Sequence, residues 1–117
     1  MADSIEDLQR ALDTFVDERD WAQFHTPKNL AMSVAIDAAE IMEHFQWSTG
    51  EASYTLTPEK HAEIAHEIAD VLLYLMRLAR TLDIDIIAAA RDKLAINREK
   101  YPVEKIKGRA TKYTDLD

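Results

Sequence analysis

Residues 58–82 read PEKHAEIAHEIADVLLYLMRLARTL, and this stretch decides the fold. Apolar residues recur along it at helical spacing, and others widen the apolar side well beyond a stripe. They are Ile64, Ile68, Leu72, Leu75 and Leu82, with Val71, Leu73, Met76 and Leu78 beside them. A helix that is apolar around most of its circumference is typical of the centre of a helical bundle.

Two helices are predicted before this stretch. Ser4 begins the first in a sequence that resembles a capping box, and helical apolar spacing continues to about Phe24. The second begins at Thr26, an N-cap that is followed by Pro27 in the first turn. It ends near residues 48–50, where Ser, Thr and Gly follow one another.

The long central helix and one further helix complete the predicted set. Thr57 caps the central helix, which spans about 58–82 and is broken by Asp-Ile-Asp at residues 83–85. A fourth helix then spans about 85–100. The tail, residues 102–117, shows no pattern that assigns it a structure.

Length and composition agree with this fold class. The chain has 117 residues with only 2 Gly and 3 Pro, too few for a sandwich or barrel, which needs a turn signal about every 8–12 residues. We predict one all-α, four-helix bundle-like domain over residues 1–117, with its helical core at about 4–101.

Charge and cysteine content exclude several functions. A net charge of −8 argues against unaided binding of nucleic acid, which needs a basic surface. The absence of Cys removes disulfides, thiolate metal sites and cysteine nucleophiles. The first residues show no secretory signal, and the charges in the apolar stretch argue against a membrane span. A cytoplasmic protein is expected.

Two acidic pairs stand in the most apolar helices. Asp37 and Glu40 lie three residues apart on the second helix, and Glu67 and Asp70 lie three apart on the third. Residues at this spacing share a helix face, and helices joined by a short loop pack antiparallel, so the pairs can face each other. Converging carboxylates repel, and hard divalent cations such as Mg²⁺ relieve that repulsion.

Two other interpretations of these acids stay open. The carboxylates can be solvent-exposed groups on helices that are acidic throughout. Glu63 and His66 match the Glu-x-x-His motif of di-iron bundles, but one chain supplies one copy of a motif that is needed twice.

Aromatic and amide residues form a second set of candidates. Trp21, His25 and Asn29 step by four, and Trp47 lies at the end of the second helix. Aromatic rings stack on flat bases, and His and Asn bind hydrogen-bonding edges, although a tryptophan is more often a core residue. On the fourth helix a polar face suits phosphate or sugar oxygens. It consists of Lys93, Asn97 and Tyr101.

Five segments and part of the tail together resemble the all-α nucleoside triphosphate pyrophosphohydrolases of the MazG type, in their dCTP pyrophosphatase branch. The segments are ERDW at 18–21, HTPKNL at 25–30, EHFQW at 43–47, EIADVLLYL at 67–75 and NREKYP at 97–102, with KYT at 112–114 in the tail. They occur in order over nearly the whole chain, which is far more specific than one acidic pair.

The resemblance assigns roles to the candidate residues. The family's metal motif, two acids three apart on each of two helices, maps onto Asp37, Glu40, Glu67 and Asp70, which makes these four the catalytic and metal-binding residues. Asp37 departs from the pattern, because the family has glutamate there. The resemblance further implies base stacking by both tryptophans, base recognition near the His and Asn, and phosphate or sugar contacts from the fourth helix.

The resemblance also implies the activity. We expect a Mg²⁺-dependent hydrolase, with Mn²⁺ as a substitute ion, that converts a deoxynucleoside triphosphate, dCTP or a modified dCTP, to the monophosphate and pyrophosphate. A homodimer or homotetramer and a role in nucleotide house-cleaning are expected, without nucleic-acid or membrane partners. The alternatives are a non-catalytic helical oligomer or regulatory binding module, and a phosphoribosyl-ATP pyrophosphohydrolase, which the tryptophans support less well.

Overall fold

The computed structural model describes residues 4–116, and all regular structure in this range is helical. The all-α prediction is therefore confirmed. The chain divides into two compact units, residues 1–83 and 84–117. That they act as a single domain stays a prediction. Between residues 4 and 116, no helix combines the length and apolar character needed to cross a membrane.

The first unit is built around its last helix. Helices α1 (Ile5–Glu18), α2 (Pro27–Glu43) and α3 (Pro58–Thr81) follow in order, and α3 packs against both of the others. All three helices contribute buried apolar side chains to the core. These are Val16, Leu30, Ile64, Met76 and Ala79. The central position predicted for α3 thus holds in this unit.

Hydroxyl caps fix where these helices begin. The side-chain oxygens of Ser4, Thr26 and Thr57 each accept a hydrogen bond from the backbone N–H three residues on, at 3.0–3.2 Å. Such a cap satisfies one of the N–H groups that a helix start leaves without a partner. Pro27 and Pro58 occupy the first turn, where a missing N–H costs nothing. The predicted helix starts are confirmed.

Two helices end earlier than the sequence predicts. Helix α1 ends at Glu18 and not at Phe24, because Asp20 adopts a left-handed φ of 53° that an α-helix cannot continue. Aspartate is one of the few side chains that enter this region at modest cost. Helix α2 ends at Glu43, and turns replace the predicted helix up to residues 48–50.

The second unit contains the predicted fourth helix and part of the tail. Helix α4 (Ile86–Lys100) begins at Asp85, whose carboxylate accepts a backbone N–H at 3.0 Å. The tail forms a short helix, α5 (Val103–Ile106), which no sequence pattern had predicted. Tyr101 and Tyr113 then meet edge to face with ring centroids 6.0 Å apart, which ties the tail to the end of α4.

Candidate active site

The two acidic pairs influence one another across the packed helices α2 and α3. Desolvation raises the pKa of Asp37 above its usual range, and the charges of Asp70 and Glu67 raise it further. Desolvation likewise raises the pKa of Glu40, followed by the charges of Asp37, Glu67, Glu43 and Asp70. The charges that raise these pKa values include those of Glu67 and Asp70 on the other helix. The two pairs therefore face each other, and their carboxylates repel.

A histidine at the end of α2 closes one side of this acidic cluster, defined as Asp37, Glu40, Glu67 and Asp70. His44 Nε2 lies 2.5 Å from Glu67 Oε2, and the two side chains are only 11% and 25% exposed. Apart from this contact with His44, the buried Glu67 Oε2 has no hydrogen-bond partner. A buried oxygen in this condition is costly, and a cation or water would satisfy it.

The donor chemistry of the cluster fits a hard divalent cation. Four carboxylates on two facing helices, one with an unsatisfied buried oxygen, are the oxygen ligands that Mg²⁺ prefers. Within residues 4–116, however, no three acidic or histidine side chains already lie together as a formed metal site.

A cavity of about 210 Å³ lies beside the cluster, between α1, the turn that follows it, and α3. Leu12, Phe15, Val16 and Leu73 supply apolar walls, and Trp21, His25, Asp70, Tyr74 and Arg77 complete the lining. Trp21 meets Phe15 edge to face, with ring centroids 5.6 Å apart and an interplanar angle of 77°. The cavity is smaller than the roughly 300–1,000 Å³ of sites for drug-sized ligands, and suits a single ring. Asp70 belongs both to the acidic cluster and to this cavity.

Arg77 connects three parts of the first unit at the edge of the cavity. Its Nη1 donates to Asp13 Oδ1 at 3.1 Å, and its Nε donates to His25 Nδ1 at 3.3 Å. Arg80 Nε lies 3.3 Å from the other oxygen of the same carboxylate. Burial lowers the pKa of His25, and the neighbouring Arg77 charge lowers it further, so the imidazole is neutral at physiological pH.

The structure separates the predicted base-binding residues. Trp21 and His25 line the cavity, whereas Asn29 and Trp47 do not. The Asn29 amide donates to the backbone oxygen of Phe24 at 3.0 Å and thereby holds the turn before α2. Trp47 is 91% exposed after α2, so it is not a core residue of this chain. The residues predicted to contact phosphate or sugar lie in the second unit, and their roles stay predictions: Lys93, Asn97 and Tyr101.

Several residues at the site were not among the sequence candidates. Asp13, Tyr74, Arg77 and His44 have no local spacing that marks them, since the contacts of Arg77 join positions 52 and 64 residues apart. One signal was present. A guanidinium inside the most apolar stretch of the chain needs a partner in the fold, because an unpaired buried charge is strongly unfavourable.

A family model supplies the classification. The MazG-like family model matches residues 32–116, which includes all four acids of the cluster. The chain belongs to the MazG-like family. The match begins within α2 and extends through both units of the structure.

Individual relatives agree with this membership. The chain is 39% identical over 115 residues to dCTP pyrophosphatase 1 of Mus musculus, covering 97% of this chain and 68% of that protein. It is 38% identical to dCTP pyrophosphatase 1 of Homo sapiens, with the same coverage. Among solved structures, a pyrophosphatase from Archaeoglobus fulgidus superposes with a TM-score of 0.80 at 39% identity, covering 87% of this chain and 95% of that one.

The repulsion in the acidic cluster predicts how stability depends on pH. A carboxyl group whose pKa is raised by folding binds a proton more readily in the folded state, so stability falls as pH rises from the ordinary carboxylate pKa, about 4, through the folded value. Replacing Glu40 by Gln removes this penalty. Without divalent cations, Glu40→Gln should be more stable than the wild type at neutral pH, and its stability should depend less on pH.

Denaturant unfolding in EDTA between about pH 4 and pH 8 measures this difference. Glu51→Gln is the matched control, because Glu51 is exposed in the loop before α3 and should leave both values unchanged. Identical pH profiles for Glu40→Gln and the wild type would show that Glu40 is under no repulsion.

Proposed function

We propose that this chain is a Mg²⁺-dependent nucleoside triphosphate diphosphatase that hydrolyses dCTP or a modified dCTP to the monophosphate and pyrophosphate. The observation that carries the proposal is the position of Asp70, which lines the cavity and also raises the pKa of Asp37 in the acidic cluster. One ligand can therefore place a ring in the cavity and phosphates at the acids. Membership of the MazG-like family and the similarity to dCTP pyrophosphatase 1 support nucleotide pyrophosphatase activity.

The residues divide the work between the two ends of the substrate. Trp21 and the apolar walls hold the base, and His25 binds its edge. The acidic cluster would hold Mg²⁺, which when bound neutralises phosphate charge and lowers the pKa of a water molecule. His44 restrains Glu67 on the far side of the cluster.

Attack at the α-phosphorus is drawn from the similarity to dCTP pyrophosphatase 1. A base held in the cavity beside Asp70 would favour it, because the phosphorus closest to the nucleoside would then lie nearest the acidic cluster. Water attacks it in line, the bond from the α-phosphorus to the oxygen that bridges to the β-phosphorus breaks, and pyrophosphate leaves. The role that this activity would serve is nucleotide house-cleaning in the cytoplasm.

We extend the proposal to a homodimer or homotetramer. Three apolar side chains, Ile68, Leu72 and Leu75, follow one another at helical spacing on α3 and are 54%, 36% and 38% exposed. Apolar surface of this kind is buried when copies associate. Sedimentation of the purified chain measures its mass in solution, and a monomer at all concentrations would refute this part of the proposal.

The test is a panel of deoxynucleoside triphosphates, assayed for pyrophosphate release with Mg²⁺ and with EDTA. Wild type should release pyrophosphate from dCTP only with the ion. Glu40→Gln and Asp70→Asn should each lower the rate by about 100-fold or more while folding normally, because each removes a carboxylate that would hold Mg²⁺. Asp37→Glu keeps the charge and should stay active.

The bond that breaks is identified by hydrolysis in ¹⁸O-labelled water. Attack at the α-phosphorus places the label in the monophosphate and leaves pyrophosphate unlabelled. Orthophosphate with a diphosphate as first products, or label in pyrophosphate, would contradict the mechanism. No hydrolysis of any member of the panel would favour the non-catalytic alternative.

Trp47 gives a separate prediction, because its exposure removes a complication. A core tryptophan costs about 3–5 kcal/mol when truncated, but Trp47 is 91% exposed, so Trp47→Ala should leave the melting temperature nearly unchanged. If the ring stacks on the base, binding should weaken by about 1–3 kcal/mol. Calorimetric titration with dCTP in Ca²⁺ measures the affinity.

Tyr54→Ala is the matched control for this variant. Tyr54 is 90% exposed in the same loop, and its loss should change neither stability nor affinity. Unchanged affinity in Trp47→Ala would remove Trp47 from the substrate site.

A further inference from the structure

Arg77 has two side-chain contacts that lie outside the catalytic scheme above. On one side its guanidinium is held by Asp13 of α1, at 3.1 Å. On the other side its Nε donates to His25 Nδ1 in the turn before α2, at 3.3 Å. The Arg77 side chain is only 11% exposed, so both contacts lie in a partly desolvated region. Asp13 balances the charge and fixes the direction of the guanidinium.

The direction of the second contact determines where the histidine carries its proton. A guanidinium has only donors and does not lose its proton in proteins, so Nδ1 of His25 must accept and cannot carry hydrogen. A neutral imidazole has one N–H, which is then on Nε2. The lowered pKa of His25 agrees with the neutral form.

This arrangement gives one wall of the cavity a fixed polarity. Both His25 and Arg77 line the cavity, and within residues 4–116 no hydrogen bond of the protein involves His25 Nε2. The Nε2–H of His25 is therefore a donor, and Arg77 fixes it as one through its bond to Nδ1. A ligand that meets this wall must therefore present acceptors, since a donor placed there would leave two N–H groups opposed and unsatisfied.

We propose that Arg77, held by Asp13, is a positioning residue that fixes His25 as a hydrogen-bond donor and thereby selects a pyrimidine edge made of a carbonyl oxygen beside an unprotonated ring nitrogen. Cytosine has this edge at O2 and N3. Uracil and thymine carry a hydrogen on N3 and present a donor instead. The inference rests on the proposed function for the identity of the ring, and it extends it by naming what reads the ring.

The tautomer is tested first, without nucleotide. Two-bond ¹H–¹⁵N correlation spectra of the ¹⁵N-labelled protein distinguish hydrogen on Nε2 from hydrogen on Nδ1. We expect the Nε2–H form of His25 in the wild type, and a mixture of both forms in Arg77→Met. Arg80→Met is the matched control. Arg80 also contacts Asp13, but the hydrogen bond to His25 comes from Arg77, so this variant should keep the wild-type tautomer.

The wild-type spectrum tests the proposed tautomer of His25 even if Arg77→Met fails to fold. An Nδ1–H tautomer or a doubly protonated ring at neutral pH would overturn the proposal. So would an unchanged Nε2–H form in folded Arg77→Met, because Arg77 would then not set the tautomer.

Selection of the edge is tested by titrating the same proteins with dCMP and dUMP, which need no hydrolysis. Wild type and Arg80→Met should bind dCMP about 10-fold or more tightly than dUMP, as expected for one misplaced hydrogen bond. In Arg77→Met the preference should fall to about twofold or less. Equal binding of both by the wild type, or a preference retained in Arg77→Met, would refute the selection.

These outcomes separate the inference from the proposed function. A chain that binds dCMP in preference to dUMP but hydrolyses no triphosphate would fail the proposed function and retain the inference. A chain that hydrolyses dCTP but keeps its preference for dCMP in Arg77→Met would support the proposed function and refute the inference.

Discussion

The packing of α3 against α1 and α2 imposes two opposed demands on one helix. Ile64 and Met76 must be buried to hold the unit together, and Glu67 and Asp70 lie between them in the sequence. Burying a carboxylate is costly, whereas a fully solvated one has little hold on a ligand. The helix resolves this by leaving Glu67 only 25% exposed at the boundary of the core and Asp70 exposed one turn later, from where both raise the pKa of Asp37 on α2. The cavity and the acidic cluster both depend on that boundary.

Helix starts and helix ends differ in how clearly the residue types mark them. Ser4, Thr26 and Thr57 accept hydrogen bonds from residues three positions away, so a short window of sequence contains the whole interaction. The end of α1 depends on Asp20 entering the left-handed region, where the chain turns towards Trp21 and packs it on α1. There the backbone N–H of Trp21 donates to the backbone oxygen of Val16 at 3.1 Å, which closes the last turn of α1. Apolar periodicity does not report the backbone conformation of a single residue, so the predicted helix was too long.

The residues of the candidate site also differ in how clearly the sequence marks them. The acidic pairs were visible because spacing of three places two carboxylates on one helix face, and their mutual effect in the structure agrees with facing pairs. Arg77 and Asp13 were not visible as a pair, because only the folded chain brings α1 and α3 together. Trp47 is a third case. Its residue type suggested either a core position or a contact with the substrate, and its exposure excludes the core position. Sequence therefore identified the spacing of the acids, whose roles stay predictions, and only Trp21 and His25 among its base-binding candidates line the cavity.

The hydroxyl caps have a consequence for how this chain can change over time. Thr26 precedes Asp37 by eleven residues and Thr57 precedes Asp70 by thirteen, with no glycine in either interval to absorb a shift. Each residue added or removed between cap and acid would rotate the acid by about 100° around the helix axis. The two intervals therefore accept exchanges of one side chain for another far more readily than insertions or deletions. Lineages that descend from this chain should vary in length at the loops and termini. They should keep the number of residues between each threonine cap and its acid.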